Sequence, residues 1–416
     1  MAIIKPFKAL RPQVSLSKQV ASRPYDVLNS AEAKAEASGN ENSFLHVTKS
    51  EIDLPSSIDV HSEEVYQKAK ENLNAFIKRD ILFQENKACF YIYQLVMNDP
   101  HTGVSRSQTG LVCASSVDDY ENNIILKHEF TRPEKELDRI NHIKTTGAQT
   151  GNVFLAYKNH DEVDVVIENW KTNRSVVYDF VADDGIQHSI WIINEDEIIE
   201  KIETIFKEKI PFTYIADGHH RAASAAKVKE ALGNAATENA NYFLTTLFPS
   251  NQLHIMDYNR IAKDLNGLTV DEFITKVEKF FSIENKGTEI VAPSSLHEFG
   301  MFLNNHWYLL KAKEGTFTTD PIGILDVSIL QNNILSKILN INDPRTDSRV
   351  DFVGGIRGLK ELEKRVNSGD AAVAFSLYPV SIQQLFNISD NGQVMPPKST
   401  WFEPKLRDGL LTHLIN

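Results

Sequence analysis

The sequence predicts an α/β (α+β) protein in two parts, one over residues 1–248 and a second over 249–416. Three observations predict it. Short apolar runs of strand type alternate along the 416 residues with stretches whose apolar residues fall at helical spacing. Apolar content of 42% and charged content of 24% are those of a globular chain that can bury its own core. At 210–232 an apolar run, a glycine turn and an alanine-rich run follow one another, as when a strand feeds a helix.

Prolines 6, 12 and 24 keep the first thirty residues extended or turning. Ala31 to Ala37 reads as a short helix, and 40–47 as leading into a strand. Val65, Tyr66, Ala69, Leu73, Phe76 and Ile77 give the 63–79 stretch an amphipathic helical face. Runs 89–97 and 105–114 read as strands joined by a turn at 98–103. Pro133 opens a helix. Strands are expected at 153–157 and 163–167, and a hairpin at 175–181 and 187–193 about Asp183-Asp184-Gly185. A helix at 196–208 follows, then a strand at 240–248. In the second part, helices are expected at 271–281, 325–339 (with Asp326 and Ser328 capping) and 381–389. Strands are expected within 299–313 and at 371–378. The glycine-rich run 351–358 has no Lys-Ser/Thr after its glycines, so it reads as an ordinary strand-to-helix turn.

The densest chemistry lies at Asp217-Gly218-His219-His220-Arg221. Ile210, Phe212, Tyr214 and Ile215 form the strand before it; Ala222, Ala223, Ala225, Ala226, Val228 and Leu232 form the helix after it. A glycine turn opening a helix gathers backbone N–H groups and partial positive charge, which suits a phosphate. Two imidazoles and a guanidinium add to that. Asp217 needs a metal, a proton or a hydroxyl to contact. Adjacent His219 and His220 cannot readily share one ion, so metal binding by the histidines is the weaker option. Further polar groups stand at Arg23 and Asp26 in a proline-stiffened loop. Others stand at Lys127-His128-Glu129, at Asp138-Arg139, and at Lys398, Ser399, Thr400 and Lys405 in a loop with Pro396, Pro397 and Pro404.

A net charge of −12 argues against a general nucleic-acid binder, which needs a basic face. Cys89 and Cys113 lie in apolar runs and imply neither disulfides nor zinc. No run approaches the ~20 apolar residues of a membrane span, and the N-terminus has no signal-peptide pattern. The expected setting is the cytoplasm, without nucleic-acid or membrane partners, and compatible with a homodimer.

Four separated motifs together resemble one large bacterial domain-of-unknown-function family, number ten-fifteen. They are Pro24-Tyr25-Asp26-Val27; Lys127-His128-Glu129 with Thr131, Asp138 and Arg139; Ala216 to Arg221; and Pro397 to Lys405. The resemblance spans nearly the whole chain but implies little chemistry. The 217–221 motif between strand and helix is also similar to the ParB/sulfiredoxin-like fold and its free-serine kinases. That likeness implies a ParB/sulfiredoxin-like nucleotide-binding core whose turn holds nucleotide phosphates for transfer to a serine hydroxyl.

The expectation is a phosphotransferase using ATP or ADP and Mg2+ on a small hydroxylated metabolite, serine or phosphoserine first. Gly218, His219, His220, Arg221, Arg23, His128, Lys398, Ser399, Thr400 and Lys405 would bind phosphate. His219 and Asp217 would join in catalysis, and Asp217 would hold magnesium. The general base is Glu129 or Asp26. Glu129 is preferred, because His128 would tune it and the helix after Pro133 would fix it. A nucleotide-binding regulator without turnover, a phosphoserine-hydrolysing enzyme and a ParB-like DNA-binding or nuclease protein are the alternatives. Net charge disfavours the last.

Overall fold

A computed structural model describes residues 1–100 and 103–416. The expected turn at 98–103 includes His101 and Thr102, which lie outside the described residues. The chain is mixed α/β and falls into two compact units, Met1–Leu253 with Pro404–Asn416, and His254–Glu403. Residues 404–416, expected in the second part, pack with the first unit. Thr412 bridges Leu10, Asp408 bridges Ser22, and His413–Leu414 pairs with Ala148–Gln149. Leu406, Leu410, Leu411 and Ile415 are buried there, so apolar burial anchors the tail.

The first unit is organised by a mixed sheet of nine described strands. Their order is Ile125–Leu126, Thr213–Asp217, Val153–Tyr157, Tyr242–Pro249, Ser105–Ser116, Phe90–Asn98, Gln187–Ile193 and Tyr178–Val181, with Ile4–Lys5 paired to the end of Ser105–Ser116. Val153–Tyr157 is buried at every residue, as suits a central strand covered on both faces. It runs parallel to Tyr242–Pro249 and antiparallel to Thr213–Asp217. Helices Asp161–Asn173, Asp196–Lys209 and His219–Leu232 share a core with it. Val163, Val166, Ile167 and Trp170, then Ile199, Ile202, Ile205 and Phe206, then Ala222, Ala225 and Ala226, pack with Val153, Leu155 and Leu247.

Two expected strands are helical. Apart from Asp164, residues 163–167 are β-branched and apolar, yet Val163, Val166, Ile167 and Trp170 recur at helical spacing and bury one face. Tertiary packing overrides the weak propensity of valine and isoleucine. Phe44, Leu45 and Val47 are buried from a single helical turn, Leu45–Thr48. Pro133 does open its helix, Pro133–Thr146, which ends at Gly147 with φ +67°. Cys89 and Cys113 are free and buried.

The second unit has an antiparallel sheet of six described strands, in the order Phe281–Gly287, His306–Ala312, Glu298–Leu303, Val373–Leu377, Tyr258–Ala262 and Val350–Gly354. Capping boxes at Thr269 and Ser381 start helices Val270–Val277 and Ile382–Asp390. Asp326–Leu330 continues as a π-helix, Gln331–Ser336. Neither Asp326 nor Ser328 caps it: Leu325 holds the cap position, and Asp326 Oδ1 accepts the His297 N–H at 2.9 Å. The glycine run forms the expected turn from strand Val350–Gly354 into helix Leu359–Asn367. Among the described residues no helix is long and apolar enough to cross a membrane.

Candidate active site

Tyr214, Ile215 and Ala216 bury the strand that ends at Asp217, whose register shifts against Phe154. Gly218 then takes φ +96°, and a Cβ there would sit 3.3 Å from Val153 Cα and 3.2 Å from the Arg221 guanidinium. Glycine is required for both reasons. The helix His219–Leu232 starts immediately, and its alanines let it lie close on the sheet. Its first N–H groups have no intrahelical acceptor, and its positive end faces the turn.

Arg221 sits among carboxylates. Its side chain is 10% exposed. Nη1 donates to the Asn152 carbonyl, and Nη2 lies 3.3 Å from Asp26 Oδ2 and 3.7 Å from Asp217 Oδ2. Burial alone would lower its pKa, but Asp26 and Asp217 raise it further than burial lowers it. Lys405 Nζ donates to Asp217 Oδ2 at 3.0 Å. Burial would raise the Asp217 pKa, yet Lys405 and Arg221 hold it well below the usual carboxylate range.

Asp408, which sequence reasoning missed, completes the cluster. It is 2% exposed, with Oδ2 buried and without a hydrogen-bond partner. Burial pushes it up to about 7, against the nearby Arg221 charge and with the Asp26 charge adding to the rise. Gly151 keeps the space between Arg221 and Asp408 open. A Cβ there would meet Arg221 Cδ at 3.2 Å and the Asp408 carboxylate at 3.5 Å. The available signal was Lys405, Arg407 and Asp408 gathered just ahead of Gly409 and the apolar pair Leu410-Leu411.

The histidines do not act as cations. The Arg132 N–H donates to His220 Nε2 at 3.0 Å, and the His128 N–H points at His219 Nε2 at 3.5 Å. An imidazole that accepts at Nε2 is neutral and carries its proton on Nδ1. Burial holds His220 down to about 4 and His219 well below its ordinary value, with His128 adding to the effect on His219. The His128 and His219 rings meet edge to face at 4.5 Å, and burial pushes His128 down to about 4. Their evident work is to dock the 128–132 loop, which also carries half-buried Glu129, on the helix start.

Asp26 lines a cavity of about 300 Å³ together with Tyr25, Lys49, Glu51, Lys135, Asp138 and Arg139. Arg139 pairs with Asp138 at 2.6 Å and lies over the Tyr25 ring at 3.9 Å. Tyr66 donates to Asp138 Oδ1 at 3.0 Å. Arg23 lines a different cavity of about 340 Å³, with Lys18, Asp184 and Arg407, and pairs with Glu36. Lys398, Ser399 and Thr400 belong to the second unit.

Among the described residues no group of three or more His, Cys, Asp or Glu side chains is placed to hold a metal. Asp217, the expected magnesium ligand, gives its carboxylate to Lys405 and Arg221 instead. The donor set does not fit a cation held by protein alone. Magnesium carried on phosphates needs only one or two carboxylates.

Residues 4–328 match a family described as protein of unknown function, DUF1015. The chain belongs to this family. Its description assigns no chemistry, and no curated protein matches the sequence. Among solved structures, a free serine kinase in complex with AMP is 11% identical at TM-score 0.35, over 72% of this chain and 91% of that one. A conserved hypothetical protein from Pyrococcus furiosus is 13% identical at TM-score 0.36, over 72% and 93%. SbnI with a C-terminal truncation, from Staphylococcus aureus, is 10% identical at TM-score 0.37, over 71% and 85%. Likeness this loose carries no argument about activity, and the reading rests on the residues.

Proposed function

We propose that the first unit binds a nucleotide, ATP or ADP, and transfers a phosphoryl group between it and a small hydroxylated compound, with serine and phosphoserine the first candidates. The observation that carries this reading is the helix start at Gly218–His219, set beside Lys405 and Arg221, with Asp26 facing both Arg221 and the cavity. The helix end and Lys405 supply the positive field that a phosphate needs. Phosphoryl transfer asks chiefly for such charge and for positioning. Asp26 is the better general base than Glu129, because it lines the cavity and Arg221 fixes its direction. Cavity walls of both signs, with Lys49, Lys135 and Arg139 against Glu51 and Asp138, suit a small zwitterion. Magnesium, arriving on the nucleotide, would neutralise phosphate charge.

The second reading is a nucleotide-binding regulator without turnover. It is favoured by the engagement of Arg221 with carboxylates, which leaves it little to lend to a moving phosphoryl group. A phosphoserine-hydrolysing activity would use the same base on water. Phosphorus NMR of the full chain with ATP, ADP or phosphoserine, each with serine and magnesium, tests the three. Phosphoserine made or consumed together with the nucleotide supports transfer, and free phosphate from phosphoserine alone supports hydrolysis. Nucleotide binding with no turnover over a panel of hydroxylated compounds replaces the enzyme with the regulator.

A further inference from the structure

Two motifs of the second unit play no part in that reading, the glycine run 351–358 and the loop 395–403, and they meet at one place. Tyr258 opens the strand Tyr258–Ala262, and three groups gather on its ring. Trp401 packs edge to face at 5.0 Å, the Arg260 guanidinium lies 5.7 Å away and Lys398 Nζ 5.8 Å away. Gly354 makes room for Trp401, since a Cβ there would be 2.8 Å from the indole. A side chain at Gly355 would strike the Asp257 carboxylate.

Arg260 is 3% exposed and also lies over Phe352 at 5.2 Å. Buried arginines normally face a carboxylate. This one donates to carbonyl groups, those of Tyr258, Pro397 (3.2 Å) and Lys398 (2.8 Å). Among the described residues neither Arg260 nor Lys398 forms an ion pair. Burial pushes Arg260 down to about 10, opposed by Tyr258. Two like charges thus lie within 6 Å of one aromatic ring.

The backbone adds an independent sign. Among the described residues, the non-glycine residues with positive φ are Asp80, Asn123, Asn266, His297, Asn304, Asn305 and Asn340, side chains that tolerate this region, and then Lys398 at +58°. Lys398 follows Pro397 in a turn, where glycine or asparagine ordinarily takes that conformation. Arg260 bonded to the Lys398 carbonyl and the Ser399 hydroxyl donating to the Pro396 carbonyl at 2.6 Å hold the turn in place. A lysine kept at a strained position, exposed, with a buried cation bonded to its own carbonyl, is best explained by what its ammonium contacts.

We propose that the 396–399 turn of the second unit is an anion site, with Lys398 the contact residue and Arg260 the fixed charge behind it, and that it takes a compact phosphate-bearing group. Phosphate is favoured over carboxylate because a dianion answers two cations. Lysine binds phosphate as a point charge. The site is independent of the phosphoryl-transfer reading of the first unit.

The test is calorimetric titration of the full chain with inorganic phosphate and pyrophosphate, and with acetate as the carboxylate arm. Lys398→Ala is expected to weaken phosphate binding about tenfold or more. Lys398→Gly should lose the same binding while melting about 2–4 °C higher, as backbone strain is relieved. Lys405→Ala, which removes a positive group from the first unit's helix start, should leave this binding event unchanged, which separates it from the first unit. Unchanged phosphate binding in both Lys398 variants overturns the site, as does a wild type that binds none of the probes. Acetate bound as tightly as phosphate overturns the ligand class.

Discussion

Replacing Asp408 with asparagine tests whether the cluster around Arg221 is built as described. In the folded chain Asp408 is pushed up to about 7 from an ordinary 3.8, chiefly by burial, with one carboxylate oxygen unpartnered. Near pH 3 folded and unfolded chains both largely hold the proton, so the group carries almost no penalty. As pH rises the unfolded chain ionises first while the folded chain still holds its proton, so stability is lost up to about pH 7. At ~1.4 kcal/mol per pH unit the loss is about 4 kcal/mol once the folded group also ionises. Asparagine is never ionised and escapes it. Urea unfolding of wild type and Asp408→Asn, followed by circular dichroism, should give equal stabilities near pH 3. The variant should be ahead by about 3 kcal/mol at pH 6 and about 4 kcal/mol at pH 8. A difference that is flat with pH, or that shrinks as pH rises, refutes the placement of Asp408 in a dry pocket.

Asp26→Asn should cut phosphoryl transfer by about 10²–10⁴-fold while nucleotide affinity, read by calorimetry, holds. Equal rates would remove Asp26 as the base. Arg221→Ala strips the cation from Asp26 and leaves Asp217 to Lys405 alone, so it should lower the urea midpoint by an amount equivalent to about 3 kcal/mol. A fully stable variant would mean the guanidinium is free to serve a ligand. Gly218→Ala forces a Cβ against Val153 at a left-handed φ and should cost at least ~1–2 kcal/mol in the same experiment.

The sequence displayed the scaffold of the site plainly because its signals are local. Asp217 to Arg221 lie between an apolar strand and an alanine-rich helix, and both elements formed where periodicity put them. Pro133 marked its helix for the same reason. What the sequence hid depends on partners far along the chain. For His219 and His220 it hid that N–H groups near 128–132 point at their Nε2 atoms. Arg221 looks free until Asp26, 195 residues earlier, reaches it. Asp408 has no local signal beyond its charged neighbours, because the bridge to Ser22 that delivers it is a tertiary event. The 163–167 helix was hidden differently: β-branched residues read as a strand unless the spacing of the buried ones is given more weight than their type.

The return of residues 404–416 to the first unit sets an order of assembly on the ribosome. Lys405, which balances Asp217, and Asp408, which bridges Ser22, emerge only after the whole of 254–403 has been made. Until then the nascent first unit holds Asp217 without its lysine and Leu10 without its Thr412 bridge. Domains usually fold in the order of synthesis, N-terminal first. Here the second unit has its whole sequence before the first does. Closing a loop of that length costs little more entropy than closing one half as long. The delay is therefore set by translation more than by the search for contacts, and the charge cluster is sealed last.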